Sequence, residues 1–130
     1  PAVFDLMSTA SYQTGPNVVA SQPQFPAIAY HLFVEDDGRV FWCHDLDRYV
    51  WHNGGPGRNA TRIGVCYAGN HEPNAVQRAG IRGAIIWCQA IVRISTDQLC
   101  IALEVDGHRD NYATTCPGPT WPAWRDAVLP

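Results

Sequence analysis

At 130 residues, with 46% apolar and 16% charged residues, the chain has the length and composition of one domain, 1–130, able to bury a core without staples. A formal net charge of −3 excludes the basic face that nucleic-acid binding needs, no apolar run reaches the length of a membrane span, and the start shows no basic-then-apolar targeting signal. The five cysteines are an odd number at no short repeated spacing, which points to mostly reduced, buried thiols, with two disulfides among Cys43, Cys66, Cys88 and Cys100 as the alternative.

Residues 2–7 read as a short strand, and 8–24, polar with Gly15, Pro16 and Pro23, as loop or a poorly formed helix. Residues 27–35 form the next strand, and Asp37-Gly38 turns it into a second arm over 39–43, the strongest short hairpin signal. Alternation in the first arm puts Ile28, Tyr30, Leu32 and Val34 on one face, Ala29, His31 and Phe33 on the other. A short extended piece at 49–52 ends in the loop Asn53-Gly54-Gly55-Pro56-Gly57. Residues 61–68 hold a near-continuous apolar run, expected of a central strand buried on both faces.

A helix follows, with Pro73 in its first turn and a buried stripe of Ile81, Ala84, Ile85, Cys88, Ile91 and Val92. Close packing on the sheet is the reason expected for Gly80 and Gly83 in it. After a polar turn at 95–98, a strand over 99–105 leads to Asp106, His108, Arg109 and Asp110. A closing helix over 121–129 has Thr120 as cap and Pro122 in its first turn, and Trp87 and Trp124 read as core. The class is α/β: a mixed central sheet with an antiparallel hairpin, flanked by helices.

The stretch after the last strand carries the chemistry. His108 and Cys116 stand eight residues apart, with Thr114 and Thr115 before the thiol and Pro117-Gly118-Pro119 behind it. Imidazole nitrogen and thiolate sulfur both suit borderline-soft zinc. By spacing alone the alternative is an exposed histidine and a half-buried free cysteine. His31 reads as structural, and His52 either contacts substrate or hydrogen-bonds its own loop.

Several segments together resemble one family. Tyr30-His31-Leu32-Phe33-Val34 before Asp36-Asp37-Gly38, Trp51-His52-Asn53-Gly54-Gly55, Arg62-Ile63-Gly64-Val65 with Gly69-Asn70, Gly107-His108-Arg109-Asp110 and Cys116-Pro117-Gly118 follow its motifs in order over about residues 27–126. The chain is similar to the zinc-dependent N-acetylmuramoyl-L-alanine amidases of the peptidoglycan-recognition-protein and phage-lysozyme type. The resemblance implies a peptidoglycan hydrolase that cuts between the muramic acid lactyl group and L-alanine, working as a monomer on muramyl peptides outside the cell, in the wall, or delivered there by phage. It implies His108 and Cys116 as zinc ligands, Tyr30 beside the zinc-bound water, Thr114 at the oxyanion, and the His52-Asn53 loop at the substrate. One departure stands out. The family's remaining zinc histidine, at the end of the first strand, falls here on Met7, and no histidine precedes His31. The site is then rebuilt with Asp5, held by two protein ligands, or lost; in the last case the domain is a peptidoglycan-binding module. A small zinc-stabilised domain with no cell-wall role is the third reading.

Overall fold

The apolar run in the middle of the chain becomes the strand around which the sheet is built. The computed structural model describes residues 3–8, 29–53, 56–69, 71–96 and 104–130. Within these the strands are β1 (Val3–Ser8), β2 (Leu32–Val34), β3 (Val40–Trp42), β4 (Arg62–Tyr67) and β5 (Glu104–Gly107). They form one sheet in the order β3-β2-β4-β1-β5, with β3 antiparallel to β2 and the other pairings parallel. With helices packed on it, this is the mixed α/β architecture expected.

β4 is paired on both edges, by β2 and β1, and Ile63 to Tyr67 are buried, as a central strand requires. Its alternation divides the molecule. Ile63, Val65 and Tyr67 join Leu32 and Val34 under α2 (Ala75–Thr96) and α4 (Trp121–Val128), in a core completed by Ile81, Ile85, Trp121 and Trp124. Gly64 and Cys66 turn to the opposite face, where the site is assembled.

The expected stripe of α2 is buried at Ile81, Ala84, Ile85, Cys88 and Val92 and partly buried at Ile91. The helix starts later than Pro73 suggests, because Asn74 and Gln77 close a reciprocal cap. Gln77 N donates to Asn74 Oδ1 at 2.8 Å and Asn74 N donates to Gln77 Oε1 at 3.1 Å. Close packing explains Gly80, where a Cβ would stand 2.5 Å from Gly38 O, but not Gly83, which faces open space. Trp87 is 41% exposed rather than core, leaning on Trp42 across the hairpin, while Trp124 is buried. Thr120 precedes α4 as expected, yet its side chain makes no capping bond.

The Asp37-Gly38 turn forms as expected, with Gly38 at φ +81° and Glu35 N donating to Arg39 O. The first arm is shorter than expected. Residues 29–31 bend, so the alternation read through Tyr30 breaks before β2. Two short helices, α1 (Pro56–Thr61) and α3 (His108–Asn111), replace expected loop, and residues 49–52 form no strand. Cys43, Cys66, Cys88 and Cys116 are free thiols, in line with the reduced reading, and burial pushes Cys66 well up and Cys88 up to about 12. The polar stretch beyond Ser8, residues 27–28, Cys100 and most of the strand expected over 99–105 lie outside the described residues.

Candidate functional site

β5 ends at Gly107, a position where a tryptophan occupies the space a side chain would need. A Cβ there would stand 2.5 Å from Trp121 Nε1. Asp110 Oδ2 locks the junction, accepting the Gly107 N–H at 2.8 Å and the Trp121 indole N–H at 2.7 Å. His108 is therefore presented as the first residue of α3, directly off a strand anchored on the core. A second brace lies across the sheet edge. Arg62 Nη2 donates to Asn111 Oδ1 at 3.0 Å, Asn111 Nδ2 donates to Asp106 Oδ2 at 3.2 Å, and Arg62 Nη1 stands 3.5 Å from the same carboxylate. The Tyr112 ring stacks on His108, centroids 5.5 Å apart and planes 12° from parallel.

The following loop folds back on this helix. Arg109 N donates to Cys116 O at 2.7 Å, and its Nη1 donates to Gly118 O at 3.1 Å. Thr114 Oγ1 accepts the Cys116 N–H at 3.2 Å. From the core side, Tyr67 Oη lies 2.8 Å from Pro117 O. These bonds bring the imidazole-bearing and thiol-bearing residues to the two edges of one small loop.

The thiol edge meets the sheet. Cys116 and Phe33 pack against a buried pair, Tyr30 and Cys66, on the face of β4 turned away from α2. Tyr30 is 1% exposed and belongs to this face, not to that of Leu32 and Val34, because the 29–31 bend rotates it across. Tyr30 thus packs with Cys116, Thr114 bonds to Cys116, and the Arg109 bond ties the helix that begins at His108 to the same loop.

His52 and Asn53 are placed differently. Both are buried, and their backbone N–H groups donate to Asn59 Oδ1 at 3.1 and 2.7 Å. The His52 ring covers Gly64, where a Cβ would stand 2.8 Å from its Cγ, and Nε2 lies 3.3 Å from Arg62 O. In the structure both side chains are buried inside the domain and bonded within it. His31 is structural as expected, its ring bonded at both nitrogens to backbone.

Zinc has two donors of suitable chemistry here, His108 and Cys116. Both fit zinc in kind, and among the described residues no group of three His, Cys, Asp or Glu side chains could hold a metal. Asp110 stands in the Gly107-His108-Arg109-Asp110 motif but its bracing role carried no sequence signal, nor did Tyr67 or Tyr112. Asp110 acts as the third residue of a helix whose cap is a glycine, and the other two act through contacts at long range.

The sequence matches the family described as N-acetylmuramoyl-L-alanine amidase (Amidase_2) over residues 5–119. The chain belongs to this amidase family. Solved structures share the amidase fold. N-acetylmuramoyl-L-alanine amidase LysC from Clostridium intestinale URNW superposes with a TM-score of 0.70 at 19% identity, covering 100% of this chain and 87% of that one. Drosophila peptidoglycan recognition protein SD gives 0.66 at 20% identity, covering 90% and 74%. Human PGRP-IβC, solved in complex with a glycosamyl muramyl pentapeptide, gives 0.64 at 16% identity, covering 91% and 77%. A search of curated proteins gave no match.

Proposed function

We propose that this amidase-family chain hydrolyses the amide bond between the lactyl group of N-acetylmuramic acid and L-alanine in peptidoglycan, acting as a monomeric domain at the cell wall or outside the cell. The observation that carries the reading is the Arg109 N–H to Cys116 O bond, which closes an imidazole and a thiol onto one loop against buried Tyr30. His108 and Cys116 would hold zinc, which supplies Lewis acidity and a water ionised near neutral pH. Thr114 Oγ1 already accepts the Cys116 N–H, so its hydroxyl proton is left to donate to the developing oxyanion. The Tyr30 phenol, beside Cys116, orients the attacking water or passes a proton.

A second reading, a peptidoglycan-binding module without hydrolysis, is favoured by one observation: among the described residues no group of three His, Cys, Asp or Glu side chains could hold a metal. Zinc content of protein purified without chelator, together with release of peptides bearing new L-alanine amino termini, separates the two. The hydrolase holds about one zinc per chain, and Cys116→Ser and His108→Ala each lose zinc and hydrolysis together. Retention on peptidoglycan without cleavage, with the same melting temperature with and without chelator, selects the binding module.

A further inference from the structure

We infer that the outer face of α2 pairs two copies of this chain, helix against helix and antiparallel. The helix is apolar on two sides. One side is the core stripe; the other carries Val76, Ile86, Trp87 and Ile94, exposed by 55%, 46%, 41% and 75%. Between these four stand Ala79, Gly83 and Ala90, also exposed. At about 3.6 residues per turn these positions share an arc about 100° wide, and Arg78, Arg82 and Arg93 fall outside it. A helix with two apolar faces needs a cover on each, and among the described residues packing supplies one.

The order of side chains along this face fits a second copy, because it reads nearly alike in both directions. An antiparallel partner that sets residue 76 against residue 94 also sets 79 against 90, and 83 against 86 and 87. Branched side chains then meet at the ends, alanines meet further in, and at the centre a glycine meets isoleucine and tryptophan. A two-fold interface requires this self-complementarity, in which one residue meets a second and the second meets the first. The centre has room for the larger side chain. A Cβ on Gly83 would meet nothing within 4 Å, and beside it opens an apolar cavity of about 250 Å³ lined by Leu32, Val40, Trp42, Gly83, Ala84 and Trp87. The hairpin continues the face, with Val40 and Trp42 exposed and the Trp42 ring 6.2 Å from that of Trp87. Together these side chains expose on the order of 700 Å² of apolar surface, against about 800 Å² per partner in a stable interface. The cluster of Tyr30 and Cys116 lies on the face of β4 turned away from α2, so the catalytic unit of the functional reading remains one chain and pairing joins two such units.

Sedimentation equilibrium of the chain from about 1 to about 500 µM tests the pairing. The wild type should move from 14.4 kDa toward twice that mass, with its midpoint in the micromolar range. Ala79→Glu and Ala90→Lys should each raise the Kd by about tenfold or more, because either one puts a lone charge into an apolar contact. The double variant should recover most of the affinity, since each introduced carboxylate then meets the other copy's introduced ammonium. Gly83→Leu, with open space around it in the single chain, should block pairing without lowering the melting temperature. Thermal melting of each variant separates these effects from loss of fold. A wild type that stays at 14.4 kDa over the whole range overturns the inference, whether or not the face then takes up phosphatidylglycerol vesicles. So does a dimer that the single changes leave intact, or one that the double change does not restore.

Discussion

His31 shows how a residue that reads as chemistry can be structure. Its Nδ1 accepts the Gly64 N–H at 3.0 Å, so Nε2 carries the proton and donates to Arg48 O at 3.0 Å. A protonated ring would place N–H against N–H at Gly64. Burial, with smaller contributions from nearby histidines, pushes the pKa down to about 4. The folded value lies below the ordinary 6.5, so as pH falls the unfolded chain takes up the proton first. Stability from this site is complete above about 6.5 and is lost between there and 4, amounting to roughly 3 kcal/mol at most. Urea midpoints from pH 7 to 4 should fall for the wild type, and His31→Gln, less stable at pH 7, should show a flatter profile. Parallel profiles would remove His31 as the origin of the acid sensitivity.

At the level of elements, α2 illustrates what periodicity conveys and what it omits. Its apolar stripe is legible because spacing at three and four is a property of the helix itself. Its two glycines look alike in sequence and differ in the fold, since Gly80 lies on the hairpin turn at Gly38 O and Gly83 faces open space. Gly83→Ala should stabilise the domain by about 1 kcal/mol through helix propensity. Gly80→Ala should instead destabilise it by roughly 1–3 kcal/mol through overpacking. Thermal melts of the two single variants check this, and shifts of the same sign would mean that α2 does not rest on the turn. The helix starts after Pro73 for a related reason: the Asn74–Gln77 exchange outweighs the proline signal because it satisfies two backbone donors at once.

For the whole molecule, the sheet register decides what stands near the thiol. β1 lies between β4 and β5, pairing Met7 with Cys66 and Asp5 with both Gly64 and Asp106. Position 7 is thus the register neighbour of the residue that packs with Tyr30. On the proposed reading, with His108 and Cys116 as zinc ligands, Met7→His should tighten zinc binding by at least about tenfold, because it adds a neutral imidazole. Zinc titration against a competing chelator reads the change without reference to activity. An unchanged affinity, with Asp5→Ala stripping the metal, would instead make Asp5 the third ligand.

The sequence by itself determined the class of fold, the central strand, the hairpin and the long helix, since each follows from periodicity, β-propensity or turn chemistry acting within a few residues. It also brought forward His108, Thr114, Cys116 and Tyr30, as residue types whose order resembles a known site. Only the tertiary structure decided how these meet. The bend at 29–31 turned Tyr30 to the face of Cys66, and Asp110 and Trp121 fixed where β5 stops and His108 begins. It also buried His52 and Asn53 against Asn59 and Gly64, and seated Arg58 over Tyr112. The reason is physical: these are contacts between segments far apart in the chain, set by available space and by which buried donors still need acceptors, and neither quantity exists until the segments are packed together.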